Sequence, residues 1–388
     1  MRKVCVITGS RAEYGLMQRL LHMMQESPLI DLQLVATNMH LSPKYGETYK
    51  EIEADGFTIA RRVPIIDENA EDCADTTLKS MSKAIEGFSE SYLELKPDLV
   101  CFLGDRYEML CAAIAAMIHR IPIAHIGGGT VTEGAYDDAI RHSITKMSQL
   151  HFASTETYCK RIIQMGENPN RVFCMGSPGI ENIKTLPLKT KEEIESDIQF
   201  KIDKNTILVT YHPVTLGNHT VEQDINDFIE ALEERPDLRV IFTMPNSDTG
   251  SQTIIDAVNH FVSRNSDRAA AYKSLGVVRY LSVMKQVAAV VGNSSSGIVE
   301  VPSFGIPTLN IGDRQKGRLA ADSVINCNTD KISILQGLDT VLSAEFKNKA
   351  MKTVNPYEKP NTAKIMFDVI STYPLEKLGQ KHFYDLPI

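Results

Sequence analysis

The chain alternates short apolar runs with amphipathic stretches, and this alternation restricts its fold more than any other feature. Runs that are apolar throughout are typical of parallel strands covered on both faces, and the periodicity of the intervening stretches indicates helices. The expected strands are 3–9, 32–38, 98–104, 121–129, 151–155 and 171–178, followed by 206–212, 238–246, 277–281, 288–293 and 306–312. The pattern predicts an α/β fold with two doubly wound Rossmann-like domains.

A polar stretch separates the two series of strands and sets the expected domain boundaries. We expect a first domain at 1–180, a linker at 181–204 and a second domain at 205–372. The tail 373–388 is expected to cross back to the first domain. Open α/β sheets bind ligands outside the carboxyl ends of their strands, so two sheets in series predict a cleft between domains. Residues that directly follow strands are therefore the functional candidates.

Composition excludes several classes of protein. The 388 residues carry a net charge of −8 without a basic block, which argues against general affinity for nucleic acid. No apolar stretch approaches the length of a membrane span, and the chain enters a strand at once, so we expect a cytoplasmic protein without a signal peptide. The seven cysteines form no CxxC pair; Cys5, Cys101 and Cys174 are expected to be buried free thiols. The histidines form no HExxH motif, and no metal site is expected.

The stretch "NSSSGIVEVP" places three serines at a strand-to-helix turn. Backbone N–H groups and hydroxyls at such a turn bind phosphate, although serines also cap helices without any ligand. We favour anion binding by Ser294 and Ser295. Glu300, about one turn into the helix, is suited to accept hydrogen bonds from two ribose hydroxyls, or is a solvated helix charge.

Four further residues follow expected strands and suit a nucleotide. Arg314 is suited to pair with a diphosphate, or forms a surface salt bridge. Arg11 follows the first strand without a GxGxxG fingerprint and provides a cation there. His212 ends a strand, where it can donate to a phosphate or serve as an acid, or is simply structural. Asn246 is suited to contact a planar base edge, or caps the next helix.

Acidic residues gather after two strands of the first domain. Asp105 closes a very apolar strand and is a candidate base, or the N-cap of the next helix. The glycine-rich segment "HIGGGTVTEGAYDDAIRHS" brings Glu133 and Asp137, which suit acid–base chemistry. Asp137 alternatively begins a helix, where an acid complements the dipole.

Taken together, these motifs resemble the hydrolysing UDP-N-acetylglucosamine 2-epimerases of sialic acid biosynthesis, over nearly the whole chain. The resemblance rests on "TGSRAEYG", "GDRYE", "DDAIRHSITKMS", "HPVT", "PNSDTGS" and "GNSSSGIVEVPSFGIPTLNIGDRQKGR", in this order. It implies a glycosyltransferase-B-type fold that binds UDP without a cofactor or a metal. By the matching motifs, the implied UDP-binding residues are Arg11, His212, Asn246, Ser294, Ser295, Glu300 and Arg314. Family analogy also suggests a dimer or tetramer.

The reaction implied by the resemblance has two stages. UDP first leaves C1 and a proton leaves C2, which gives a 2-acetamidoglucal-like alkene. Water then adds at C1 and a proton returns to the opposite face of C2, so the products are free N-acetylmannosamine and UDP. Asp105 and Asp137 match two acids of the family and are the implied proton carriers.

One departure from the family concerns the loop after residue 126. Family members often carry glutamates where this chain has Gly127 and Thr130. We hypothesise that Glu133 replaces the missing acid. The altered loop leaves the sugar open between UDP-N-acetylglucosamine and UDP-N,N'-diacetylbacillosamine of the legionaminic acid route. A glycosyltransferase of the same fold and a catalytically inactive UDP-sugar-binding regulator are alternative functions.

Overall fold

A computed structural model describes residues 1–71, 73–214, 220–245 and 248–387 of the chain. Contacts between residues divide it into two compact units. The first unit comprises Met1–Thr130, Asp137–Glu181 and Lys359–Ile388, and the second comprises Val131–Tyr136 and Asn182–Glu358. Among the described residues, no helix is both long and apolar enough to cross a membrane.

The first unit is built on a parallel sheet. Its strands are β1 Arg2–Thr8, β2 Ile30–Thr37, β3 Ile59–Val63, β4 Leu99–Leu103, β5 Ile123–Ile126, β6 Leu150–Ala153 and β7 Val172–Cys174. Over the described ranges the strand order is β3-β2-β1-β4-β5-β6-β7. Its helices are α1 Arg11–Glu26, α2 Tyr49–Ala54, α3 Ala74–Leu95, α4 Tyr107–Ile118, α5 Asp137–Met147 and α6 Glu156–Gln164, and α7 Pro178–Thr185 leads into the second unit.

The second unit repeats this architecture. Its strands are β8 Thr206–Thr210, β9 Arg239–Thr243, β10 Ala269–Tyr272, β11 Ala289–Gly292, β12 Thr308–Ile311 and β13 Val324–Cys327, in the order β10-β9-β8-β11-β12-β13 over the described residues. Its helices are α8 Lys191–Ile198, α9 Val221–Glu233, α10 Ser251–Arg264, α11 Gly276–Gln286, α12 Ser295–Val299, α13 Lys331–Leu342 and α14 Ala344–Ala350. Helix α15, Thr362–Thr372, follows in the first unit.

Side chains from each central strand enter two hydrophobic clusters. Val4 and Val6 of β1 belong to one cluster, whereas Cys5 and Ile7 belong to another. Because successive side chains of a strand point to opposite faces, both faces of this sheet are covered. The predicted α/β fold with two doubly wound domains is therefore confirmed.

The structure differs from the sequence expectations in three places. The stretch 277–281, expected to be a strand, lies in helix α11, and the strand before it is the alanine-rich β10. The stretch 181–204, expected to be a linker, contains α8, whose Ile194 and Ile198 are buried in a core of the second unit. The chain also returns to the first unit at Lys359 rather than at 373, because Ala363, Met366 and Ile370 of α15 are buried against that unit's core.

The strand order identifies one switch point in each sheet. In the first unit, β1 lies between β2 and β4, and the chain order reverses between β1 and β4. In the second unit the equivalent pair is β8 and β11. Ligands of doubly wound folds bind beyond the carboxyl ends of the strands at such points. Arg11 and Asp105 follow the first pair of strands, and His212 and Ser294 follow the second.

Candidate functional site

Asn293 organises the switch point of the second unit. Its side-chain Oδ1 accepts a hydrogen bond from the backbone N–H of His212 over 2.7 Å, and its Nδ2 donates to the carbonyl of His212 over 2.8 Å. Asn293 is fully buried and His212 is 6% exposed. The ends of β8 and β11 are thus joined by a side-chain amide, which holds the backbone of His212 in a fixed position.

The backbone carbonyl of Asn293 extends this arrangement to the next strand end. It accepts hydrogen bonds from Gln315 Nε2 over 2.8 Å and from Arg314 Nη1 over 3.4 Å. Gln315 is buried, so its amide anchors the segment that carries the arginine. Asn293 therefore connects three of the expected nucleotide-binding positions, His212, Ser294 and Arg314. Asn246, the remaining strand-end candidate of this unit, lies outside the described residues.

The serine turn shows both of the roles that the sequence left open. Ser294 is the N-cap of the short helix α12, and its hydroxyl accepts a hydrogen bond from the backbone N–H of Ser296. Ser296 accepts from the Tyr280 hydroxyl over 3.1 Å. Capping is therefore present. The half-buried Ser294 and Ser295 lie directly beyond the carboxyl end of β11, where the sequence predicted anion binding.

Glu300 is almost completely buried, which corrects the alternative of a solvated helix charge. It lies just after α12, and its backbone N–H donates to Ser296 O over 2.9 Å. Burial raises the pKa of Glu300 to about 7, although a hydrogen bond with Ser296 and the charge of Arg318 act in the opposite direction. A ligand that donates hydrogen bonds to this carboxylate would stabilise its charged form.

Asp105 is held by a buried arginine at the switch point of the first unit. Arg141 Nε donates to Asp105 Oδ2 over 2.6 Å, and its Nη1 contacts Asp138 Oδ1 and the carbonyl of Thr130, each over 3.1 Å. The Arg141 side chain is 1% exposed and that of Asp105 is 21% exposed. The arginine comes from α5, the helix that begins at Asp137. Two of the three predicted acids are thus tied to one helix.

A second charged cluster lies beside this one, on the residues that follow β1 and β4. Glu13 accepts backbone hydrogen bonds from Gly9 and Ser10, over 2.8 and 3.1 Å, in a capping box at the start of α1. Arg106 Nε donates to Glu108 Oε1 over 2.9 Å. Burial raises the pKa of Glu13 to about 8, and the neighbouring Glu108 adds to the shift. This cluster supports the turn from which Arg11 begins α1.

The loop after β5 begins with a glycine and follows a buried histidine. Gly127 has φ +99°, a conformation that residues with a side chain rarely adopt. The preceding His125 is fully buried, and its Nε2 lies 2.9 Å from the carbonyl of Gly104. Because the pKa of His125 is lowered to about 4 by burial, the ring is neutral and this nitrogen carries the hydrogen.

Glu133 lies in the segment Val131–Tyr136, whose contacts assign it to the second unit. Its backbone N–H donates to the carbonyl of Lys316 over 3.2 Å, and its Oε2 lies 3.8 Å from Lys316 Nζ. The side chain is 55% exposed. Asp105 and Asp137 belong to the first unit, so Glu133 is held by different neighbours from the other two predicted acids.

Sequence reasoning did not single out Asn293, Arg141 or Glu13 as functional candidates. Asn293 was missed because the three serines after it suggested a site of their own. Its position directly after a buried strand could have identified it. Arg141 follows Asp138 by three residues, the spacing of neighbours on one helix face. Glu13 stands three residues after Ser10, which is the capping-box spacing.

Comparison with known proteins assigns the chain to a family. A family model described as UDP-N-acetylglucosamine 2-epimerase matches residues 22–371. The chain belongs to this family. It is 41% identical to the GDP/UDP-N,N'-diacetylbacillosamine 2-epimerase (hydrolyzing) of Campylobacter jejuni, with 99% of each chain covered. It is 40% identical to the polysialic acid biosynthesis protein P7 of Escherichia coli, with 100% of this chain and 98% of that protein covered.

The fold of this epimerase family member also agrees with a solved structure. The crystal structure of UDP-GlcNAc 2-epimerase from Neisseria meningitidis bound to UDP-GlcNAc matches with a TM-score of 0.78. The alignment covers 95% of this chain and 99% of that chain at 18% identity, which supports the same fold. The expected family resemblance and the expected class of enzyme, an epimerase, are confirmed.

Proposed function

We propose that the protein is a hydrolysing 2-epimerase that converts a UDP-2-acetamido sugar into UDP and the free sugar inverted at C2. With UDP-N-acetylglucosamine the free sugar is N-acetylmannosamine, a precursor for sialic acid biosynthesis. The observation that carries the proposal is that each switch point holds a set of side chains suited to one half of this chemistry. His212 and Arg314, both bonded to Asn293, suit a nucleotide, and Asp105 with Arg141 suits proton transfer.

Nucleotide binding is assigned to Arg11, His212, Asn246, Ser294, Ser295, Glu300 and Arg314. The diphosphate gains charge as the bond at C1 breaks, and arginine side chains with backbone N–H groups stabilise that charge. The buried Glu300 accepts hydrogen bonds from the two ribose hydroxyls. Contacts to the nucleotide, which does not itself react, then help to lower the barrier for the reaction at the sugar.

Proton transfer at C2 is assigned to Asp105, Asp137 and Glu133. A ring proton at C2 is a poor acid, so cleavage of the bond to UDP leads and the proton leaves from a developing cation. Arg141 donates to Oδ2 of Asp105 and so fixes the position of this carboxyl group, whose carboxylate form can take a proton. A second acid returns a proton to the other face of the alkene while water adds at C1.

A second candidate substrate is UDP-N,N'-diacetylbacillosamine. The observation that favours it is the 41% identity over 386 residues to a relative named for this substrate. The two substrates differ only at C4 and C6 of the sugar, so the nucleotide site and the acids serve both.

The test is proton NMR of each UDP-sugar incubated separately with the enzyme in heavy water. Release of a free 2-epimerised sugar that carries deuterium at C2 supports the proposal, and the faster substrate identifies the sugar. A product that remains a UDP-sugar points to a non-hydrolysing epimerase. Intact UDP-sugar in the absence of an acceptor points to a glycosyltransferase or to a UDP-sugar-binding regulator, and either result overturns the proposal.

A further inference from the structure

Two cysteines, a glutamate and a lysine form a cluster at the end of β7 that the proposed reaction does not use. Lys359 Nζ donates to Cys174 Sγ over 2.9 Å and to Glu156 Oε1 over 2.7 Å. The side-chain ligand atoms of Glu156, Cys159 and Cys174 lie within 4.8 Å of one another. Cys174 is half-buried, which corrects the expectation of a buried thiol, and it is therefore accessible to a small oxidant.

The backbone fixes the position of the lysine in this cluster. Gly176 has φ +84°, and a Cβ at this position would lie 2.7 Å from Cβ of Lys359. Three residues after Lys359, the start of α15 is attached to the same strand end, because Thr362 Oγ1 donates to the carbonyl of Met175 over 2.8 Å. The backbone of Lys359 therefore packs against Gly176, and the hydrogen bond of Thr362 fixes the segment that follows it. These two contacts hold Lys359 where its ammonium group reaches Cys174 Sγ.

The cluster has the composition of either a metal site or a reactive thiol site, and the ammonium group of Lys359 favours the thiol site. Glutamate and cysteine side chains at this spacing are also metal ligands. The ammonium of Lys359 already bonds to two of the three ligand groups and occupies the place of a cation. Hydrogen bonds to Cys174 and Glu156 raise the pKa of Lys359, so the group stays charged. An ammonium at this distance stabilises negative charge on sulfur, which is the reactive form of a thiol.

We propose that Cys174 and Cys159 form a redox pair in which peroxide oxidises Cys174 and Cys159 then closes a disulfide with it. In the first step the Cys174 thiolate attacks hydrogen peroxide, an S–O bond forms, the O–O bond breaks and hydroxide leaves, which gives a sulfenic acid. In the second step Cys159 sulfur attacks Cys174 sulfur, the S–O bond breaks, and the hydroxyl leaves as water with the thiol proton. The two sulfurs lose two electrons in total, and the peroxide takes them up.

The order of the two cysteines follows from their surroundings. Cys159 is only 6% exposed and lies on α6. Burial raises the pKa of Cys159 to about 12, and the neighbouring Cys174 adds to the shift. A thiol of this kind reacts slowly with peroxide but is well placed to resolve a sulfenic acid next to it.

The experiment is peroxide treatment of the folded full-length protein followed by non-reducing peptide mass spectrometry. All proteins carry Cys73→Ser, because Cys73 is another half-buried thiol, with a pKa lowered by a hydrogen bond with Thr76. The expected product is one linked peptide pair that contains Cys159 and Cys174 and lacks two hydrogen atoms. In the Cys159→Ser variant, Cys174 is expected to accumulate as sulfenic and then sulfinic acid instead.

The role of the lysine is tested by two substitutions, one that removes the positive charge and one that keeps it. Lys359→Met is expected to slow the oxidation of Cys174 by about tenfold, and Lys359→Arg is expected to restore most of the rate. Three results would overturn the proposal. These are oxidation of Cys327 before Cys174, a rate that is equal in Lys359→Met and the parent, or a link from Cys174 to Lys359 rather than to Cys159. Far-UV circular dichroism of each variant shows whether a changed rate reflects loss of the fold.

Discussion

The side-chain amide of Asn293 forms a two-bond bridge to the backbone of His212, with one bond to the N–H and one to the carbonyl. The bridge joins the carboxyl ends of the two strands at which the second sheet reverses its order. The carbonyl of Asn293 meanwhile accepts from Arg314 and Gln315. One buried residue therefore sets the relative positions of three strand ends, which is what a nucleotide site at this point requires.

Replacing Asn293 with alanine is expected to weaken UDP binding by about tenfold or more. The substitution removes two buried hydrogen bonds to the backbone of His212, which costs about 1–3 kcal/mol of the free energy of unfolding. Isothermal titration calorimetry with UDP and urea unfolding measure the two effects. Asn265→Ala is the matched control, because its amide bonds to Phe261 and Arg268 between α10 and the edge strand β10. That control should lose stability and keep its affinity for UDP.

An Asn293→Ala protein that binds UDP as tightly as the parent contradicts the nucleotide assignment of this switch point. Loss of UDP binding in both asparagine variants indicates general destabilisation instead. Asn293→Gln keeps the amide but lengthens the side chain, and it is expected to recover little of the binding. The bridge needs donor and acceptor at a fixed reach from the end of β11.

The strand pattern predicted most of the fold because buried parallel strands are apolar throughout. The failures are local. Residues 269–272 are mostly alanine, a good helix former, yet they form the edge strand β10, whereas the β-branched Val277 and Val278 lie in helix α11. Intrinsic preferences were overridden here by pairing with β9 and by burial of Leu281 and Met284.

The sequence predicted those site residues that directly follow a strand. It did not predict residues whose role depends on a contact with a residue far away in the chain. Arg11, Asp105, His212 and Ser294 follow strands directly, and the structure places them at the two switch points. The contact between Arg141 and Asp105 spans 36 residues, and that between Asn293 and His212 spans 81. Contacts at such separations depend on the sheet order, which a single sequence does not specify.

Asp105→Asn is expected to lower kcat by about 10²–10⁴-fold, because an amide cannot take up the proton that leaves the sugar. The dissociation constant for UDP should change by less than about threefold, since that binding is assigned to other residues. Asp138→Asn is the control, because Asp138 also contacts Arg141 and has a similar exposure. Initial rates of UDP release and calorimetric UDP binding separate the two effects. Equal losses of kcat in both variants assign the effect to Arg141 rather than to Asp105.

The affinity for UDP is expected to rise with pH through about 7, because burial raises the pKa of Glu300 into this range. Below this pH the free protein holds Glu300 protonated, and a ligand that needs the carboxylate must first displace that proton, which weakens binding. Above this pH Glu300 is already ionised in the free protein, so its titration no longer changes the affinity for UDP. Calorimetry in buffers of different ionisation enthalpy should detect a proton released on binding near pH 7.

Glu300→Gln is expected to remove this pH dependence and the proton release. The terminal phosphate of UDP also titrates near pH 6, so the relevant quantity is the difference between the parent and the variant. If both proteins show the same slope of affinity against pH, Glu300 does not contact the ribose hydroxyls.

Stability is expected to fall with rising pH through the titration of Glu13, in contrast to an ordinary carboxyl group. Its pKa is raised to about 8 by burial and Glu108, above the usual value of 4.5. The folded state therefore holds a proton that the unfolded state has lost between these two values, and stability decreases as pH rises across that window. Glu13→Gln keeps an acceptor for Gly9 and Ser10 and should flatten the slope. Urea midpoints from pH 5 to about 8.5 measure it; parallel curves for the two proteins exclude this titration.

Glu133→Gln is expected to lower kcat by about 10²-fold if Glu133 replaces the acid missing at Gly127. Glutamine keeps the size of the side chain and removes only the proton that it can exchange. Lys316 lies 3.8 Å from the Glu133 carboxylate and 3.7 Å from that of Asp313, so Asp313→Asn is a control that disturbs the same lysine. Rates of UDP release, with deuterium at C2 of the product as a second measurement, compare the two variants. Full turnover by Glu133→Gln would leave Asp105 and Asp137 as the only proposed acids. A loss confined to Glu133→Gln supports the replacement, because the control keeps every other charge of the segment.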